Sequence, residues 1–141
     1  MAQTEHTEQV NIMKWWALAH RGFGVPEALL FAIPNGGERN IIVATRMKAE
    51  GVRAGVPDMF LAYPTPFAHG LFIELKKTKG GRVSNSQKSF IAELNSRGYR
   101  AVVCNGAEAA INEIKRYLAM GKGVNVDAPQ TSQGNILPLG V

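Results

Sequence analysis

The chain is 141 residues long, 45% hydrophobic and 19% charged, with sixteen Lys and Arg against eleven Asp and Glu. That size fits one domain with a substantial core, and the composition excludes a mainly disordered chain or a coiled coil. A single cysteine, Cys104, excludes an internal disulfide and a cysteine-built zinc site. The longest unbroken apolar run, Ala28–Ile33, is far short of the roughly 20 residues that cross a bilayer. The opening stretch is polar and acidic, unlike a secretory signal. We therefore expect a soluble α/β or α+β protein of the cytoplasm.

Thr4 to His20 reads as a helix, with Thr4 as N-cap, Glu5 and Glu8 in the first turns, and Ile12, Trp15, Trp16 and Ala19 at helical spacing. Ala28–Ile33 is a short strand candidate ended by the turn Pro34-Asn-Gly-Gly37. Asn40 to Glu50 reads as a helix with Ile41, Ile42, Thr45 and Met47 inward and Gly51 as its stop. Two strands follow, Asp58–Tyr63 and Leu71–Lys76, joined by a seven-residue loop that permits an antiparallel hairpin. Thr78–Val83 is a basic, Gly-rich turn. Ser84 to Arg97 is the clearest helix: Ser84 and Gln87 form a capping box, Phe90, Ile91 and Leu94 form its apolar stripe, and Gly98 follows its end. Arg100–Cys104 is a strand, and Gly106 to Met120 a last helix packed through Ile111, Ile114 and Leu118. Residues 1–120 make the domain; 121–141, rich in Gly and Pro without periodicity, reads as a flexible tail. The order α-β-α-β-β-α-β-α, with a closing strand–helix–strand crossover, predicts an α/β fold: a central mixed β-sheet flanked by helices.

Charge points to the partner. Between Gly36 and Arg100 lie eleven Lys/Arg and five Asp/Glu. A basic central stretch fits a polyanion, although a charge count alone fits a solvated surface equally well.

Chemistry concentrates in Gly55-Val-Pro-Asp58 and Phe72-Ile-Glu-Leu-Lys76. Residues two apart on a strand share a face, so Glu74 and Lys76 project together. If the two strands pair near this end, Asp58 approaches Glu74. Two close carboxylates repel unless a positive charge sits between them, and hard oxygen donors suit Mg²⁺ or Mn²⁺. Phosphodiester hydrolysis needs an activated water and stabilisation of charge on the phosphate, which a metal and Lys76 together supply. The main-chain carbonyl of Leu75 is a further candidate ligand. A lone Glu-x-Lys on a strand is ordinarily a solvated ion pair; the ordered set within a basic segment distinguishes this one.

Pro57-Asp58, a spacer, then Glu74-Leu-Lys76 resembles the PD-(D/E)XK nuclease signature. With Ile33-Pro-Asn-Gly-Gly37, Lys48 through Asp58, Leu71 through Lys77 and Ser86-Gln87-Lys-Ser-Phe90, the chain resembles the VRR-NUC (virus-type replication-repair nuclease) family over about Glu5 to Leu118. The resemblance implies a restriction-endonuclease-like core and a metal-dependent DNA endonuclease. It implies Asp58 and Glu74 as metal-binding acids, Lys76 as the catalytic lysine, and Gln87 as the glutamine that follows the motif. It also implies a first-helix glutamate. Glu5 is preferred over Glu8 because Glu5 and Gln9 keep the Glu-x-x-x-Gln spacing. Stand-alone phage and bacterial members resemble homodimers acting on four-way DNA junctions, whereas the version within the eukaryotic Fanconi-associated nuclease is monomeric. This chain resembles the stand-alone kind.

Candidate contacts to DNA are Asn35 in its turn, Arg39, Arg46, Lys48 and Arg53, and the loop residues Lys77, Lys79 and Arg82, the last three best placed to follow a phosphate chain. Gln87 has both a capping and an active-site reading. His6, His20 and His69 lack metal-ligand spacing, Cys104 reads as buried, and Trp15 and Trp16 read as core or dimer contacts. There is no Walker or dinucleotide motif, so no nucleotide cofactor is expected. Two alternatives stand beside the junction nuclease: a non-catalytic DNA-binding module and a sequence-specific restriction-type nuclease.

Overall fold

The computed structural model describes residues 4–34 and 40–125, with side chains described to residue 120. Helix α1 (Glu5–Phe23) starts at Thr4, whose hydroxyl accepts the Thr7 N–H, and runs through Gly22 to end at Gly24. It is three residues longer than the sequence suggested, because Gly24 rather than Gly22 supplies the left-handed C-cap. A 3₁₀ turn (Glu27–Leu29) takes the first two residues of the expected Ala28–Ile33 strand, and β1 is Leu30–Ala32. Helix α2 is Ile41–Ala49, capped by Asn40, and α3 is Asn85–Ser96. The remaining strands are β2 (Met59–Leu61), β3 (Leu71–Lys76) and β4 (Arg100–Asn105). Helix α4 (Ala107–Asn125) continues five residues past the expected Met120, through Gly121 and Gly123, into the stretch read as tail; residues 126–141 lie outside the described ones.

The four strands form one mixed sheet in the order β1-β2-β3-β4. β1–β2 and β2–β3 are antiparallel, and β3–β4 is parallel through the α3 crossover. The predicted hairpin and the predicted crossover are both present. β2 is shorter than Asp58–Tyr63, since only Met59–Leu61 find partners on both sides.

Alternation divides the sheet into two faces. Leu30, Met59, Leu61, Leu71, Ile73 and Leu75 pack into one core with Ile12 and Trp16 of α1 and Ala110, Ile114, Tyr117 and Leu118 of α4. Each large aliphatic side chain so buried contributes roughly 1.5–3 kcal/mol. Trp16 is fully buried, and its indole N–H is satisfied by the Glu27 carbonyl at 2.8 Å. Cys104 is buried as expected, and its thiol is pushed up to about 11 by burial and by the nearby Glu113 charge. The opposite face carries Phe60 and Phe72, stacked at 4.1 Å, with Phe31 and Tyr99 edge-on to Phe60. Asn95 of α3 exchanges two hydrogen bonds with the Ala101 backbone, covering the outer edge of β4.

Helix α2 corrects the sequence reading. Ile41 and Ile42 are 81% and 68% exposed and Thr45 is exposed too, so of the four inward candidates only Met47 is partly buried. The inward pair is Val43 and Met47, four apart and one step around the helix from the expected stripe.

The 52–57 loop is held tightly against α3. Gly55 has φ +88°, and a Cβ there would lie 2.5 Å from the Ser86 carbonyl oxygen. Only glycine fits that approach. The contact delivers Pro57, fully buried, and Asp58 to the end of β2 beside the start of α3.

Candidate active site

The β2–β3 register pairs Met59 with Ile73. One step on, Asp58 stands opposite Glu74, on the face of the sheet that carries Phe60 and Phe72. Asp58 Oδ2 accepts the Leu75 N–H at 2.7 Å, which fixes the carboxylate across the gap where β2 begins. Lys76, two residues beyond Glu74, lies on the same face and is 8% exposed. Its Nζ is 3.3 Å from Glu74 Oε2.

Gln87 makes both the capping bond and a bond to Glu74, with one amide. Its Oε1 accepts the Ser84 N–H at 2.9 Å, completing the capping box, while its Nε2 donates to Glu74 Oε2 at 3.0 Å. The cap that starts α3 therefore also aims the amide at the acid.

Glu74 is 2% exposed, and its Oε1 is buried without a hydrogen-bond partner among the described residues. Burial first, then the Asp58 charge, raise its carboxyl to about 7; the Lys76 ammonium pulls the other way. Asp58 is raised as well, chiefly by burial, with Glu5 adding repulsion and the Leu75 N–H opposing. An orphaned carboxylate oxygen is costly inside a protein. Two acids forced together with one oxygen unmet make a hard donor set that fits a small divalent cation.

Leu75 turns its side chain into the core. In a strand a residue's N–H and C=O face the same edge, so its carbonyl points to the side where Asp58 takes the N–H. Glu5 is exposed on the first turn of α1, close enough for its charge to be felt at Asp58. Among the described residues no three His, Cys, Asp or Glu side chains form a ready metal cluster, so Glu5 stands back from the two central acids. Glu8 does not join them: it is buried and bonded to Thr78 and to the Ala107 N–H. No local sequence signal marks this link, since its partners lie 70 and 99 residues away.

Arg46, Lys48, Arg53, Lys77, Lys79 and Arg82 are exposed. Asn35 and Arg39 lie outside the described residues.

The VRR-NUC domain family model matches residues 3–108. A solved structure described as a VRR_NUC domain protein is 30% identical and superposes with a TM-score of 0.74, covering 86% of this chain and 93% of that chain. No curated protein matches. The matched span contains Asp58, Glu74, Lys76 and Gln87, and the chain belongs to the VRR-NUC family.

Proposed function

We propose that this protein is a Mg²⁺- or Mn²⁺-dependent, structure-specific DNA endonuclease that hydrolyses phosphodiester bonds at branched DNA such as a four-way junction. The VRR-NUC domain itself carries a nuclease-type, DNA-processing function. The observation that supports the metal-dependent reading is the unpartnered Glu74 Oε1, set between Asp58, Lys76 and Gln87. The branched substrate rests on the resemblance to stand-alone members of the family.

Asp58, Glu74 and the Leu75 carbonyl are the groups that would hold the cation, with Glu5 supplying a further oxygen from α1. When bound, the cation supplies Lewis-acid stabilisation and a water of lowered pKa. Lys76 holds its ammonium beside Glu74, where it neutralises charge gathering on a phosphate oxygen. Gln87 fixes Glu74 Oε2 so that Oε1 keeps one direction. The stacked Phe60–Phe72 pair adjoins the acids along the same face.

The test is cleavage of a labelled four-way junction, a linear duplex and a single strand across a metal series. Junction cleavage that stops with chelator is the expected result. Metal-independent binding without turnover means the non-catalytic alternative, and cutting of linear duplex at one fixed sequence means the restriction-type one.

Lys77, Lys79 and Arg82 leave the end of β3 exposed and flank the acids in sequence. If they neutralise three phosphates, replacing all three by Ala lowers the slope of log affinity against log salt by about 2–3. Turnover at saturating DNA stays near wild type. Titrations at several salt concentrations check this.

Symmetric cutting of both strands calls for two sites, and we propose a homodimer. Ile41 and Ile42 on α2 and the 42%-exposed Phe31 on edge strand β1 offer apolar surface for it. Sedimentation should show twice the 15.3 kDa protomer, and Ile41→Glu with Ile42→Glu should shift it to monomer.

A further inference from the structure

We propose that Glu8 is a positioning residue for the nuclease centre: it locks the first turn of α1 to the ends of β3 and β4, and so holds Glu5 toward Asp58 and Glu74. The inference rests on the metal-dependent reading above and assigns a role to a residue outside the donor set.

Glu8 is a carboxylate only 5% exposed. Among the described residues no Lys, Arg or His forms an ion pair with it. A buried acid without a cation needs a reason. Its two oxygens are each used. Oε1 accepts the Ala107 N–H at 2.9 Å, at the first residue of α4, and Oε2 accepts the Thr78 hydroxyl at 3.1 Å, two residues past Lys76. The positive end of the α4 dipole favours the charge there.

The junction it grips is the one that fixes the catalytic strand. The Gly106 N–H donates to the Lys76 carbonyl at 2.8 Å, and Asn105 Nδ2 donates to the Lys77 carbonyl at 3.3 Å. At Gly106 (φ +96°) a Cβ would come 2.7 Å from the Thr78 hydroxyl, so glycine lets the chain pass beside the Thr78–Glu8 pair. Glu8 enters this junction from α1.

Glu5 lies three residues earlier, on the same side of the helix. It sits in the first turn, where helices fray, and its side chain is exposed. Its charge nevertheless reaches Asp58. Thr4 caps that turn, and the pair of hydrogen bonds at Glu8 ties it to the ends of β3 and β4. A fixed oxygen donor costs less ordering entropy when a cation binds than a mobile one.

The experiment compares wild type, Glu8→Ala, Glu8→Gln and Thr78→Val, each checked for folding by circular dichroism. Mn²⁺ affinity is read directly from the electron paramagnetic resonance signal of free Mn²⁺, without DNA. The metal concentration giving half-maximal junction cleavage is read beside it. Glu8→Ala should weaken Mn²⁺ affinity about 3- to 10-fold and raise the half-saturating metal concentration by a similar factor, with KM for DNA within twofold. Glu8→Gln, which still accepts the Ala107 N–H, should recover most of the loss. Should Glu8→Ala not fold, Thr78→Val removes one of the two bonds and should shift the metal dependence in the same direction by less. In a Glu5→Ala background the Glu8 substitution should have no further effect on Mn²⁺ affinity. Unchanged affinity in a folded Glu8→Ala protein, or an equal loss with and without Glu5, overturns the inference alone. A wild-type protein that neither binds Mn²⁺ nor cleaves overturns the nuclease reading and this inference with it.

Discussion

Glu74→Gln should reduce junction cleavage by about 1000-fold while leaving DNA affinity equal or slightly tighter. Lewis-acid stabilisation at a metal is worth several kcal/mol, and each 1.36 kcal/mol is tenfold in rate. An amide in place of Glu74 keeps the volume of a fully enclosed side chain and can still bond Gln87. It removes the anionic oxygen that has no other partner. Binding should not suffer, because one negative charge is withdrawn from a surface that receives a polyanion. Lys76→Met separates the two functions of the strand. It should lower turnover by roughly 10²–10³ yet leave Mn²⁺ binding intact, because the cation lost there competes with the metal for Glu74. Single-turnover cleavage and Mn²⁺ titration of both variants check the pair. Glu74→Gln protein that cuts at the wild-type rate would sink the metal-dependent mechanism.

How much of this was legible beforehand follows from the range of the interactions. β3 matches its sequence reading, Leu71–Lys76, to the residue, because alternation and the following Gly-rich turn mark it locally. The Ser84–Gln87 capping box is a four-residue pattern and is present with both its bonds. Bringing Asp58 to Glu74 and Lys76 needs a hairpin, and the antiparallel pairing of Met59 with Ile73 supplies it. What local pattern does not carry is the third dimension. The inward face of α2 was misplaced because a nine-residue helix with several apolar positions has more than one possible stripe, and packing chose Val43 and Met47. The extension of α4 past Met120 overrode two glycines, each costing only about 1 kcal/mol in a helix. Both readings of Gln87 are open in the sequence, but that one amide makes the two bonds at once depends on how the 52–57 loop seats α3, which no local pattern carries. The Glu-x-x-x-Gln spacing favours Glu5 over Glu8, but what Glu8 bonds instead is visible only in contacts that span most of the chain.

The carboxylate proposed to hold the metal should also make the metal-free protein lose stability as pH rises. Glu74 has its folded value raised from 4.5 to about 7 by burial and by Asp58. Below pH 4.5 it is protonated in both states and contributes no pH dependence. Between 4.5 and 7 the unfolded chain ionises first, the folded state holds more protons, and stability falls with increasing pH. Above 7 the full penalty is present, about 3 kcal/mol, or on the order of 10 °C in Tm for a chain of this size. Asp58 is shifted in the same direction and adds to the trend. The other strongly placed acid, Glu113, is lowered: its Arg100 and Arg116 hydrogen bonds outweigh the burial that would raise it. Its contribution is lost only as pH falls below the ordinary glutamate range, outside the window from 5 to 7.5. Chelator-treated protein should therefore melt higher at pH 5 than at pH 7.5, and Glu74→Gln should flatten most of the difference. Adding Mg²⁺ or Mn²⁺ at pH 7.5 should restore the lost stability, since a ligand that binds only the folded state stabilises it by mass action. Thermal denaturation of both proteins at four pH values, with and without metal, decides the matter. A wild type equally stable at pH 5 and 7.5 without metal, or a Glu74→Gln variant with the same slope, would mean that the buried acid is not the strained group the structure describes. Both results together, lower stability of the metal-free wild type near neutral pH and lower activity of the amide variant, would trace to one oxygen, the buried and unmatched Glu74 Oε1.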